Sequence, residues 1–344
     1  VLTLVRDGAY LDTQTVNKSL TRDVPGYTVS RNCGSGLQAV ISAVQAINSD
    51  DGTIFLVGGT ESMSNSPGIM KRDGFSFKQR DAVIEDSLLH GLTDPLTCEL
   101  MGVIADRVAA KHGITREDQD KFAVQSHQKA FKARCSGKFK SQIVPVMTYE
   151  KNILGYLREA MVSEDEGANS KLTVGQIAAL EPFFTKDGTV TVANACMVND
   201  GASSFLVMTL EKAQELGLTP EAEIMNYGVV ALDPSHMSEG PTCVIPLVLK
   251  KAGMGVEDVD VFEFNEAFAA TTIETQRSLN VPEEKLNVCG GAIALGHPVG
   301  ATGLILITKA IHIMKDSGKK DAHAMISMCI GNGQGVALLI RNFS

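Results

Sequence analysis

The sequence predicts an α/β protein built from two similar halves, and three observations carry that expectation. At 344 residues the chain exceeds what one hydrophobic core organises, since single cores stop growing near ~250 to 300 residues. Its composition, 44% hydrophobic and 21% charged with 32 glycines, is that of a globular α/β protein rather than a disordered or fibrous one. Finally, a glycine turn that opens an amphipathic helix occurs near the start and again near the end of the chain.

The first occurrence begins with the extended run Tyr27 to Arg31 and the turn Asn32-Cys33-Gly34-Ser35-Gly36. Leu37, Val40, Ile41, Val44 and Ile47 then recur at helical spacing. Thr53 to Val57 reads as a buried strand closed by Gly58-Gly59. From about residue 65 to 185 the chain is more polar and reads as an inserted, mostly helical loop domain, with helices expected over Leu100 to Ala110 and Arg116 to Ala133. Strand character is expected to resume at Thr189 to Ala193 and at Ser204 to Met208. Leu216 to Pro220 breaks a helix and marks the junction, giving an N-terminal domain over 1–212 and a C-terminal domain over 213–344. In the second half, the strand Val259 to Phe264 precedes Asn265. Asn287 to Gly291 leads through Gly296-His297-Pro298-Val299-Gly300-Ala301-Thr302-Gly303 into a helix with Leu304, Ile307 and Ile311 on one face. A hairpin of Ala324 to Met328 and Val336 to Ile340 closes the chain around Cys329-Ile330-Gly331-Asn332-Gly333-Gln334-Gly335.

A formal net charge of -9 gives no basic field for nucleic acid or an anionic membrane surface. Seven cysteines, an odd number without a CxxC pair, argue against a disulfide framework and for a reducing compartment. No apolar run approaches the ~20 residues of a membrane helix. These features together point to a cytoplasmic protein, or to an organelle matrix in a eukaryote. The sequence calls for no metal and no permanently bound cofactor.

Cys33 read alone is a buried packing residue as readily as a reactive one. Its glycine turn and the helix start behind it favour a nucleophile, because a helix N-terminus lowers a thiol pKa. His297, bracketed by glycines at a second helix start, is a candidate base, a service worth ~10²-fold to 10⁴-fold. Cys329 supplies a second thiol of different acidity. Asn265 is either a helix N-cap or an amide donor to a developing oxyanion, worth roughly 2.7 to 4 kcal/mol.

Taken in order, Asn-Cys33-Gly-Ser-Gly, Asn265-Glu-Ala-Phe, Gly-Gly-Ala-Ile-Ala-Leu-Gly-His297-Pro-x-Gly-Ala-Thr-Gly and Cys329-Ile-Gly-x-Gly-x-Gly resemble the thiolase family across nearly the whole chain. Gly58-Gly59-Thr60-Glu61-Ser62-Met63-Ser64 and Asn199-Asp200-Gly201-Ala202 agree as well. The resemblance implies the thiolase fold, two α/β halves in five αβαβα layers with an inserted loop domain. It implies CoA-dependent cleavage of a 3-ketoacyl-CoA through a Cys33 acyl-thioester, or the reverse Claisen condensation. His297 and a water held by Asn265 stabilise the enolate, Cys329 supplies its proton, and the N–H groups of Cys33 and Gly331 meet the thioester oxyanion. Met101, Phe184, Cys196, Met237 and Phe268 fall at CoA-pocket positions, and CoA and acyl-CoA are the expected partners of a homodimer or homotetramer. Cys196 stands where the family usually has serine, and Leu100 where short-chain members often have histidine. The family also carries a strand and helices ahead of the segment that opens here at Val1, which reads as a truncation.

Acetoacetyl-CoA is the favoured substrate, because the stretch from Asn265 to Cys289 is short and carries Asn-Glu-Ala-Phe. A longer-chain 3-ketoacyl-CoA thiolase of β-oxidation is the alternative. A non-catalytic acyl-CoA or lipid-binding protein on this fold would usually have lost one reactive residue, and a decarboxylating ketoacyl synthase uses a single cysteine. Cys33, His297 and Cys329 together count against both.

Overall fold

A computed structural model describes residues 24–70, 83–151 and 156–343. The chain start at Val1, and what was expected of it, lies outside these residues. The longer helices are α1 (Ser35–Asn48), α2 (Met101–Lys111), α3 (Arg116–Cys135), α4 (Gly240–Ala252), α5 (Ala269–Leu279) and α6 (Thr302–Ser317). The strands are β1 (Ile54–Ser62), β2 (Gly68–Met70), β3 (Ile84–Asp86), β4 (Val146–Lys151), β5 (Leu157–Val162), β6 (Asp200–Met208), β7 (Ala222–Ala231), β8 (Val261–Phe264), β9 (His323–Ile330) and β10 (Gln334–Asn342).

The two halves repeat one plan. In each, a helix precedes an antiparallel strand pair: α1 before β1 and β6, and α6 before β9 and β10. The second sheet runs β7-β10-β9-β8, with only β8 parallel to its neighbour β9. α1 and α6 lie side by side between the two sheets. There Leu37, Val40, Ile41, Leu304, Ile307 and Met314 bury themselves against Val57, Ile326, Met328 and Leu338. On the far face of the second sheet, Val244, Ile245 and Val248 of α4 pack on Phe262, Met325 and Leu339. The outer face of the β1–β6 pair leaves Ile54, Leu56 and Leu206 about half exposed, with no further layer over it among the described residues.

Between β1 and β6 the chain makes its long excursion. It is less uniformly helical than expected, since the antiparallel pairs β2–β3 and β4–β5 accompany α2 and α3. Thr115 and Asp118 close a capping box at the start of α3, which holds a helix whose own sequence is strongly polar.

Three local expectations are corrected. Thr189 to Ala193 is not a strand: Asp106 Oδ1 accepts the Thr189 and Val190 N–H groups at 2.7 and 2.8 Å, and Asn194 Oδ1 accepts that of Thr191 at 2.8 Å. With those donors satisfied by side chains, no ladder is needed. Gly58-Gly59 does not end the first strand, because β1 continues through both glycines to Ser62. Gly59 is required instead for close approach: a Cβ there would stand 2.4 Å from the Gly300 carbonyl oxygen. Tyr27 to Arg31 joins no ladder among the described residues, apart from a bridge between Arg31 and Cys33.

Candidate active site

α1 and α6 meet near their first turns, where glycine replaces side chain on both. A Cβ at Gly36 would lie 3.1 Å from the Leu304 nitrogen, and one at Gly303 would lie 2.6 Å from the Leu37 nitrogen. Backbone therefore packs on backbone, and the loops that enter the two helices are brought together. One carries Cys33 and the other His297.

The turn at Cys33 is locked on itself. Gly34 N–H donates to Arg31 O, Ser35 N–H and its hydroxyl both donate to Asn32 O, and Arg31 N–H donates to Ser35 Oγ. Asn32 takes a left-handed φ of 44°, a conformation asparagine tolerates better than most residues. As a whole residue Cys33 is partly exposed although its thiol is shut away from solvent, while Cys329, at the end of β9, is buried.

His297 is 4% exposed. Its Nδ1 lies 2.7 Å from Thr302 Oγ1, and its Nε2 lies 3.3 Å from Asn265 Nδ2. Asn265 does not cap a helix, because α5 begins only at Ala269 behind Phe268. It extends β8 instead, its N–H donating to Ser327 O at 3.0 Å, and its buried Oδ1 finds no protein donor among the described residues. Asn287 fixes the same strand end through Phe264 N–H and O, and also donates to Glu266 Oε1. Glu266 Oε2 in turn accepts from Ser126 Oγ at 2.6 Å and Ile293 N–H at 3.2 Å. Glu61 Oε2 accepts Gly300 N–H at 3.0 Å. The His297 loop is thus held from α3, β1 and β8 together.

Cys33, Cys196, Cys329, His297 and Gly331 all line one apolar cavity of about 60 Å³. Met101, Met237 and Phe268 line it too, with Asn32, Leu92, Ala267 and Val299. Of the residues expected here, two stand behind the wall. Asn265 reaches the site through the His297 ring, and Phe184 packs edge-on against Phe268 at 5.9 Å.

The expected acidity of Cys33 is corrected. Burial pushes its thiol up to about 11, although N–H groups of Gly331 and of Cys33 itself pull it down and Glu61 adds to the rise. Backbone donors do favour the thiolate, as the helix start suggests, but desolvation outweighs them. Cys196 is pushed up to about 12 and Cys329 is raised as well, each by burial first and then by neighbouring cysteine. Burial lowers His297 to about 4. The site therefore holds neutral thiols and a neutral imidazole around one cavity. Sequence reasoning did not single out Asn32, Leu92, Val299, Glu61 or Thr302; all but Leu92 lie inside quoted motifs, which is the signal they offered.

The thiolase N-terminal domain matches residues 4–211 and the thiolase C-terminal domain matches 218–342. The chain belongs to the thiolase family. It is an enzyme, an acyltransferase. A probable acetyl-CoA acyltransferase of Staphylococcus epidermidis is 42% identical over 321 residues, 93% of this chain and 80% of that protein. A protein of the same name from Staphylococcus aureus is 41% identical, over 94% of this chain and 81% of its own length. Among solved structures, Bacillus anthracis acetyl-CoA acetyltransferase superposes with a TM-score of 0.92 at 37% identity, covering 99% of this chain and 85% of that one. Human mitochondrial 3-ketoacyl-CoA thiolase in complex with CoA gives the same TM-score and identity, over 99% and 84%. The thiolase fold expected from the motifs is the fold of this chain.

Proposed function

We propose that this thiolase acts on short 3-ketoacyl-CoA substrates, acetoacetyl-CoA above others, with Cys33 as the acyl carrier. The observation that carries the proposal is the convergence of Cys33, Cys329, His297 and the Gly331 N–H on one narrow apolar cavity. The short stretch from Asn265 to Cys289, which carries Asn-Glu-Ala-Phe, supports the short chain.

In the cleavage direction, His297 Nε2 takes the Cys33 proton while the sulfur attacks the 3-keto carbon. Because burial favours the neutral thiol and the neutral imidazole alike, proton transfer and attack run together, and the negative charge passes to the substrate instead of resting on sulfur. The C2–C3 bond then breaks, its electron pair leaving as the enolate of acetyl-CoA. His297 and a water accepted by Asn265 Oδ1 stabilise that enolate, and Cys329 returns a proton to carbon. The thiol of CoA, giving its proton to Cys329, finally attacks the Cys33 thioester; the oxyanion meets the N–H groups of Cys33 and Gly331, and the departing Cys33 sulfur recovers its proton from His297. Met101, Met237, Phe268 and Cys196 flank the pantetheine arm, with Phe184 bracing Phe268. The CoA bound to a structural relative supports this partner. The expected homodimer or homotetramer, the boundary between 1–212 and 213–344 and a cytoplasmic setting belong to the same proposal. The two domain matches and the bacterial relatives support the last two. No described helix is long and apolar enough to cross a membrane.

The test is incubation with acetyl-CoA followed by peptide mass spectrometry, which should find one acetyl group on Cys33. Label on another cysteine, or none from any acyl-CoA, would sink the mechanism. Turnover of acetoacetyl-CoA against a longer 3-ketoacyl-CoA in one assay decides the chain length.

A further inference from the structure

The His297 ring is gripped at both nitrogens, and the grip decides where its proton sits. Thr302 Oγ1 lies 2.7 Å from Nδ1 and 2.9 Å from the carbonyl oxygen of Pro298, while Asn265 Nδ2 lies 3.3 Å from Nε2. Thr302 is 3% exposed and Asn265 1%, so water does not stand in for a missing partner at either contact. A threonine hydroxyl has one hydrogen to give.

Two arrangements follow. In the first, the Thr302 hydroxyl donates to Pro298 O and accepts Nδ1–H, and Nε2 offers its lone pair toward Asn265 and the cavity. In the second, the hydroxyl turns to donate to Nδ1, and the ring proton sits on Nε2, facing the Asn265 amide hydrogens. Donor then opposes donor. Turning the amide over removes that conflict but leaves both Asn265 amide hydrogens without an acceptor, and orphaned buried N–H groups are rarer than under-used carbonyl oxygens. The first arrangement satisfies one Asn265 amide hydrogen at Nε2 and leaves one open, against two in the turned amide, together with the Oδ1 lone pairs, an acceptor suited to a water.

We infer that Thr302 is a positioning residue that holds His297 as the Nδ1–H tautomer, so that Nε2 is free to take the Cys33 proton. The inference rests on the proposed role of His297 as base. The same oxygen goes on accepting Nδ1–H after Nε2 has gained its proton. The ring therefore need not turn between taking that proton and presenting it to the substrate oxygen, and only the Asn265 amide hydrogen that faced the Nε2 lone pair gives way when Nε2 is protonated.

Thr302→Val keeps the shape of the side chain and removes the acceptor. It should lower kcat by at least about tenfold, toward the ~10²-fold lower bound of what a positioned base contributes, with KM for the acyl-CoA little changed. Thr302→Ser, which restores an acceptor, should recover most of that rate. In protein labelled with 15N-histidine, long-range proton–nitrogen correlation should place the His297 proton on Nδ1, the signal being assigned by its absence in His297→Asn. In Thr302→Val both tautomers should be populated. A wild-type Nε2–H tautomer, a wild-type rate in Thr302→Val, or a Thr302→Ser enzyme as slow as Thr302→Val would overturn the inference. Cys33 acetylation separates the two ideas: an enzyme not acetylated there loses the proposed mechanism, whereas one acetylated there with Nε2–H in the resting state loses only the role of Thr302.

Discussion

Replacing Lys309 by methionine should unfold this enzyme more readily than any surface change, because it strands a buried carboxylate. Lys309 reaches from α6 to Glu263 Oε2 at 2.8 Å and to the carbonyl oxygen of Gly290 at 2.5 Å, with Lys309 3% and Glu263 0% exposed. Burial pushes the Glu263 carboxyl up, by more than Lys309 draws it back. Burial likewise pulls the Lys309 ammonium down, but Glu263 more than restores it, so it stands above the ordinary lysine value. Removing one member of such a pair costs ~3 to 5 kcal/mol, whereas replacing both by apolar residues of similar volume is often close to neutral. Urea unfolding of Lys309→Met, Glu263→Leu and the double variant measures the coupling directly. The double variant should be more stable than Lys309→Met. A Lys309→Met cost under about 1 kcal/mol, or a double variant as poor as the sum of the singles, would refute the reasoning. The pH dependence has a defined sign. In Lys309→Met the folded-state pKa of Glu263 is raised further, so the native state binds a proton that the unfolded state releases above its ordinary carboxylate value. The deficit of the variant should therefore grow as pH rises from that value and shrink toward acid.

Two further outcomes are expected. Gly59→Ala places a Cβ 2.4 Å from Gly300 O and 3.1 Å from Ala301 Cα, so the His297 loop must shift. A stability loss of ~1 to 3 kcal/mol and a fall in kcat of at least about tenfold should follow, and a variant with wild-type kcat and urea midpoint would show that the loop yields freely. His297, lowered by burial from 6.5 to about 4, binds its proton more readily unfolded than folded. It contributes stability that is fully present above about 6.5 and lost as pH falls toward 4, ~3 kcal/mol in all. His297→Asn should flatten the acid limb of the stability profile between those pH values, and an unchanged limb would mean the ring is not buried neutral.

Much of the site was legible because its chemistry is concentrated in short segments whose glycines announce close backbone approach. Cys33, His297 and Cys329 each stand in such a segment, Asn265 follows the apolar run of β8, and the helices that follow Cys33 and His297 begin where the apolar spacing predicts. What local reading missed depends on residues distant in sequence. The helix start behind Cys33 argues for an acidic thiol, yet burial outweighs it in a cavity that Met101, Met237 and Phe268 help to line. Thr189 to Ala193 has the composition of a strand, but Asp106 and Asn194 take its N–H groups. The support given to the His297 loop by Glu61 and Glu266 joins residues far apart in the chain. Periodicity carries no trace of it.

Ser62 and Asp200 are opposite one another in the register of β1 and β6, while the matching strands β9 and β10 are joined by the tight turn around Gly331 to Gly333. The long excursion between Ser62 and Asp200 thus leaves and re-enters the sheet at neighbouring points, and the ladder need not know how much chain lies between them. Length and shape there can change without altering the strands that brace α1 and α6. Leu92 and Met101 of that excursion reach the cavity wall and Ser126 braces the His297 loop, so the strands can be inherited unchanged while a change in the excursion alters the cavity wall and the support of His297 together.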